Sequence, residues 1–201
     1  MTVCDISIVN GFIVDGTGDP RWEGNVGIRD GRIVLLGGDV GEARQTIDAK
    51  GKIVSPGFVD IHTHYDAQLL WDQAMSISPW HGVTTVVIGN CGFGIAPTRR
   101  VHRDLILRTL ERVEGMRLAA LQKGLGEERG YETFPEYLDL IESKGTAINV
   151  GVLLGHTPIR FEAMGEDAVR RESSPEEMKM MKNIVREGME VGGLGLSLIH
   201  I

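Results

Sequence analysis

The sequence predicts an α/β protein in which a small N-terminal group of β-sandwich strands precedes the first half, about four β/α units, of a TIM-type barrel. Three observations predict it. Short apolar runs separated by tight turns fill residues 3–54. From Pro56 onward, β-branched runs alternate with stretches of helical periodicity. Several of those runs end in glycine, histidine or cysteine, where parallel α/β proteins carry their chemistry. A boundary follows near residue 55, with 1–55 as the sandwich part and 56–201 as the partial barrel.

In the first part, Asp5-Ile6-Ser7-Ile8-Val9 alternates and Asn10-Gly11 separates it from Phe12-Ile13-Val14. Asn-Gly between apolar runs predicts a type I′ hairpin, because both turn residues tolerate positive φ. Asp30-Gly31 repeats the device between Val26–Arg29 and Arg32–Leu36, and Lys50-Gly51 predicts a third turn between Thr46–Ala49 and Lys52–Val54. Cys4, far from other ligand types, reads as a small buried apolar residue.

In the second part, the strands are Gly57–His62 and Thr84–Gly89, the latter β-branched almost throughout as befits burial on both faces. A helix within 101–123 carries Leu105, Ile106, Leu110 and Val113 at core spacing. Thr133-Phe134-Pro135-Glu136 is a capping box opening a short helix that Gly145 closes. Ile148–Leu154 is the third strand and leads to Gly155-His156-Thr157-Pro158. Ser174-Pro175-Glu176-Glu177 opens another helix, with Met178, Met181, Val185, Gly188 and Met189 as its core stripe. After Gly192-Gly193, Leu194–Ser197 begins a fourth strand. A full barrel needs about 250 residues and closes its sheet, so these 201 residues read as the truncated N-terminal portion of a longer protein.

Composition narrows the partners. The net charge is −7, and no Lys/Arg block is interleaved with aromatics, which gives no basis for nucleic acid or an anionic membrane as partner. No apolar run approaches the roughly 20 residues that span a bilayer, and the opening Met-Thr-Val-Cys-Asp-Ile lacks a secretory signal pattern. Two cysteines make no disulfide framework, so a cytoplasmic protein is expected. Oligomerisation is left open.

The chemistry centres on Ser55–Gly94. Residues i and i+2 of a strand share a face, so His62 and His64 can aim at one spot. If the next run is the adjacent parallel strand, Cys91 arrives at the same end. Two imidazoles and a thiolate are a zinc donor set, able to hold one ion or bridge two. Zinc lowers the pKa of a bound water toward about 7 and polarises a carbonyl, so amide hydrolysis is the natural reaction.

The segments PGFVDIHTHYD, WHGVTTVVIGNCGFG and ETFPEYLD closely resemble N-acyl-D-amino-acid deacylases, the D-aminoacylase branch of the amidohydrolase superfamily. The resemblance covers nearly the whole chain, and the Cys is its most specific mark. It implies a TIM-type barrel with a small β-domain and a zinc site that includes His62, His64 and Cys91. It implies as well that two further His ligands and the general-base Asp come from later strands, so no catalytic residue is assigned here. His156 resembles a family histidine at the third strand end, where it faces the substrate or makes a structural hydrogen bond.

Other polar residues get blander readings. Asp66 orients a His ligand or caps the next helix; His81 and His102 are loop or helix-start residues; Arg99-Arg100 and Arg170-Arg171 are solvated charge. His200 is not taken as a ligand, because the last five residues depart from the family pattern. The expected activity is zinc-dependent hydrolysis of N-acyl-D-amino acids by the parent protein. The alternatives are a cyclic-amide hydrolase of dihydroorotase or hydantoinase type, and a non-catalytic metal-binding fragment.

Overall fold

Alternating apolar residues in the first unit, which ends at Gly57, build one mixed sheet. The protein is described from a computed structural model over residues 4–126 and 130–198, apart from the side chains of Val113 and Glu114. The proposed core position Val113 and the discounted His200 therefore lie outside the described residues. Strand β1 (Cys4–Ile13) pairs antiparallel with β2 (Trp22–Arg29), which pairs antiparallel with β3 (Arg32–Leu36). The β2–β3 turn is the expected one, with Asp30 and Gly31 at φ 51° and 70°.

Asn10-Gly11 makes no hairpin. Asn10 does adopt a positive φ of 62°, but β1 runs through it as one strand. The register moves from Ile8↔Val26 to Gly11↔Gly24, so one extra residue is absorbed as a bulge. The Asn10 N–H donates to Asn25 Oδ1 and its side-chain amide to Asp48 Oδ1, 3.0 Å each, so neighbouring strands satisfy the groups a hairpin would have used. The third turn also differs. β4 (Ala43–Asp48) and β5 (Ile53–Val54) do not pair with each other; each runs parallel to β1, at Ile8↔Ile47 and Phe12↔Ile53. The result among the described residues is a single sheet, where the sequence predicts a sandwich. Ile33, Val34, Leu36, Ile47 and Ile53 accordingly remain exposed. Cys4 is buried, as expected.

In the second unit, which starts at Phe58, strands β6 (Phe58–Asp60), β7 (Val83–Ile88) and β8 (Asn149–Val152) form a parallel sheet in that order. The predicted third strand is split at Leu153: β8 stays with β7, while β9 (Leu154–Gly155) pairs parallel with β10 (Leu196–Ser197). The helix predicted over 101–123 is two helices, α1 (Arg103–Glu114) and α2 (Leu118–Leu125), because Gly115 turns left-handed at φ 65°. Leu107 and Leu121 from these helices are fully buried.

Helix α3 (Phe134–Lys144) has both arms of its capping box and Gly145 at its end. Helix α4 (His156–Met164) starts where the sequence suggested only a strand end, Pro158 being tolerated in its first turn. Helix α5 (Pro175–Glu190) is also capped at both Ser174 and Glu177. Its methionine stripe is narrower than predicted. Met181 is buried, but Met178 and Met189 are 42% and 44% exposed. At Gly188 an added Cβ would meet Leu154 Cδ2 at 2.3 Å, so the lack of a side chain there lets the core leucine approach the helix. The whole is a mixed α/β fold. Among the described residues no helix is long and apolar enough to cross a membrane.

Candidate metal centre

Strand β6 ends at Asp60, and the chain then crosses the end of β7 as Ile61-His62-Thr63-His64. Thr63 fixes that crossing. Its N–H and its Oγ1 both donate to Val87 O, at 3.1 and 2.8 Å, and it is buried while His62 and His64 are not. Pinning the middle residue inward presents the flanking imidazoles together, with ring centroids 5.4 Å apart and an interplanar angle of 67°. Asp60 Oδ1 accepts the His62 N–H at 3.1 Å.

Cys91 comes from the end of β7. Gly89, Cys91 and Gly92 take φ of 82°, 56° and 71°, turning the chain sharply off the strand. At Gly89 glycine is required twice over, by the positive φ and because a Cβ would lie 2.1 Å from Leu153 O. Cys91 itself bears left-handed strain, which non-glycine residues hold mostly where surrounding structure enforces it. The turn is also held from beyond, the Gly92 N–H donating to Ser197 Oγ at 3.2 Å.

The two loops bring His62 Nε2 to 3.2 Å from Cys91 Sγ, and one donor atom from each of His62, His64 and Cys91 lies within 4.8 Å of the others. No other cluster of three such side chains occurs among the described residues. His64 Nδ1 is buried with no hydrogen-bond partner. Burial, and then the neighbouring His62, hold the His64 imidazole below its ordinary pKa, so it favours the neutral, lone-pair-bearing form. An orphaned imidazole nitrogen, a second imidazole and a thiol make a donor set that fits zinc. Behind them Asp66 is buried beneath the Cys91 turn; burial pushes its carboxyl up to about 7 against the opposing pull of the Gly89 N–H. Its backbone carbonyl accepts from Tyr137 Oη at 2.8 Å.

The predicted metal residues are thus brought together, whereas His156 is not with them. It begins α4 and lines an apolar groove of about 430 Å³ with Ile159, Met181 and Leu196. Burial, then the Arg160 charge, lower its pKa. Three of the four arginines read as solvated charge make ion pairs: Arg99 with Glu162, Arg170 with Glu166, and Arg171 with Asp167 and Glu177. Thr63, Asn90 and Asp60, which shape the site, escaped the sequence reading. The GNCG run marked a close backbone approach, but its cross-strand partners carry no local signal.

The Amidohydrolase family matches residues 45–199. The chain is 35% identical over 195 residues to the N-acyl-D-aspartate deacylase of Alcaligenes xylosoxydans xylosoxydans, covering 96% of this chain and 36% of the relative. Its fold is similar to that of the N-acyl-D-glutamate deacylase of Bordetella bronchiseptica, solved with zinc and a phosphonate inhibitor mimicking the tetrahedral intermediate. The TM-score is 0.76 at 34% identity, over 98% of this chain and 38% of that one. A D-aminoacylase structure described as having a binuclear metal centre aligns with TM-score 0.80 at 31% identity, over 97% of this chain and 38% of that one. The chain spans about a third of the length of the curated relatives it matches.

Proposed function

The chain belongs to the amidohydrolase family, and from that premise we propose that it supplies the His-x-His and Cys part of a zinc centre, holding one or two ions, in a hydrolase of N-acyl-D-amino acids. The observation that carries this reading is the convergence of His62, His64 and Cys91 donor atoms within 4.8 Å at the matched ends of adjacent parallel strands. Similarity over 96% of the chain to a D-amino-acid deacylase supports the substrate class.

Zinc bound there supplies Lewis acidity, polarising the amide carbonyl and easing deprotonation of water. The chain's own residues do the holding. Cys91 brings the one potentially anionic donor, neutral His64 offers a lone pair, and Thr63 and Asp60 fix the backbone that carries the imidazoles. The parallel strands β6, β7, β8 and β10 with their intervening helices read as the opening units of a TIM-type barrel, and residues 1–55 as part of a separate β-domain. The remaining ligands and the proton-transferring Asp implied by the family belong to strands outside these residues. Turnover is therefore proposed for the protein at the length of its relatives, and metal uptake for the 201 residues themselves.

The test is turnover of N-acetyl-D-glutamate and N-acetyl-D-methionine by the zinc-loaded full-length protein, beside the L-enantiomers and hydantoin. Release of free D-amino acid is expected. Hydantoin opening without that release overturns the reading in favour of a cyclic-amide hydrolase.

A further inference from the structure

Asn90 lies between Gly89 and the strained Cys91, and its side chain is buried at 8% exposure. Its Nδ2 faces two backbone carbonyls, Val87 O at 2.8 Å and Thr63 O at 3.3 Å. Only the NH₂ end of an amide can donate to two carbonyls at once, which fixes the side-chain orientation. Thr63 is the residue between the two imidazoles, and Val87 belongs to the strand that delivers Cys91. Val87 O also accepts from the Thr63 N–H and hydroxyl, so three donors converge on this one carbonyl. The backbone carbonyl of Asn90, which Asn90→Ala would retain, accepts the Phe93 N–H at 2.9 Å and closes the turn on the far side of Cys91. One side chain thereby ties the His-x-His segment, the end of β7 and the Cys91 turn together across 27 residues of sequence.

We propose that Asn90 is a positioning residue that sets the register of His62 and His64 against Cys91, and so sets the affinity of this site for a divalent metal. The proposal rests on the reading that these three residues bind metal. The side-chain hydrogen bonds of Asn90 go to the Thr63 and Val87 carbonyls and not to a donor atom, so it acts through the two backbone segments it joins. A side chain that merely stabilised the turn would contribute to folding alone. One that holds two ligand-bearing loops in register contributes to metal affinity beyond its effect on stability, in the way groups supporting metal ligands do.

The experiment measures zinc affinity by competition with a chromophoric chelator, and Co²⁺ binding by its thiolate charge-transfer and d–d absorption, in the wild-type protein, Asn90→Ala and Ser174→Ala. Asn90→Ala is expected to bind both metals about 10- to 100-fold more weakly, with altered Co²⁺ bands. Ser174→Ala, which removes a cap whose bonds lie within its own turn, is expected to lower thermal stability with metal affinity unchanged. Asn90→Ala affinity within twofold of wild type overturns the proposal. Wild-type protein that takes up neither metal overturns the metal reading and this proposal with it; uptake by wild type with equal uptake by the variant overturns this proposal alone. If Asn90→Ala does not fold, the wild-type ¹⁵N spectrum decides. Asn90 side-chain amide protons that are protected from exchange and shift on zinc addition support the role, and rapid exchange with no shift refutes it.

Discussion

His62 Nε2 stands 3.2 Å from Cys91 Sγ although 29 residues separate the two in the chain. The distance follows from β6 and β7 being adjacent and parallel, so that both loops leave the sheet at the same end. Cys91 is partly exposed and Cys4 buried, so iodoacetamide is expected to label the metal-free protein at Cys91 first. Zinc at about ten times its dissociation constant should slow that labelling about tenfold, since the free fraction falls as 1/(1 + [L]/Kd). Mass spectrometry of tryptic peptides reads the site. Equal zinc protection in a His62→Ala/His64→Ala double variant would show that the three residues are not one site.

Gly89→Ala combines two costs, a positive φ of 82° and a Cβ placed 2.1 Å from Leu153 O. The Cβ is fixed by the backbone and meets a backbone oxygen, so no rotamer relieves the contact. A loss of roughly 3 kcal/mol is expected from strain and overpacking together. Urea denaturation measures it, and a loss below about 1 kcal/mol would mean that the strand end gives way more easily than its packing suggests.

The helix caps make no hydrogen bond to His62, His64 or Cys91. Thr133→Ala and Ser174→Ala each leave a first-turn N–H without its side-chain acceptor, at Glu136 and Glu177. Each is expected to cost about 1 kcal/mol. Replacement by Asn should restore most of the loss in thermal melts, because Asn caps comparably.

Glu177 gives the protein a dependence on acid. Its hydrogen bonds with Arg171, followed by the Ser174 N–H, hold its carboxyl at about 2, below the ordinary 4.5. A depressed folded-state value means that the contribution is fully present above pH 4.5 and disappears as pH falls toward 2. Glu177→Gln should therefore flatten melting temperature against pH within that window and leave the slope above it unchanged. Matching slopes for wild type and variant across the window would contradict the pair's role.

Much of this was legible locally. The capping boxes at Thr133 and Ser174, the Asp30-Gly31 hairpin and the parallel runs after Pro56 depend on neighbours within a few residues, and those neighbours are in the sequence. The His-x-His pair was legible as a motif, but β6 ends at Asp60, so the two imidazoles share a side because Thr63 is held on Val87 O and not through strand alternation. Asn10-Gly11 misled because a residue tolerant of positive φ serves a bulge as well as a hairpin; the choice lay with Asn25 and Asp48, 15 and 38 residues away. The methionine stripe misled because period alone does not say how wide a face its neighbours cover.

By itself, then, the sequence determined the donor types, their placement at strand ends and the family. Residue chemistry and local backbone preference settle the first two without knowledge of the fold, and the family rests on the resemblance of whole motifs. Only the tertiary structure decided that Cys91 meets His62, that Asn90 and Thr63 converge on Val87 O, and that His156 belongs to a different groove. Each is a contact between distant segments, fixed by which strands pair and in what register, and no local pattern encodes register between segments so far apart.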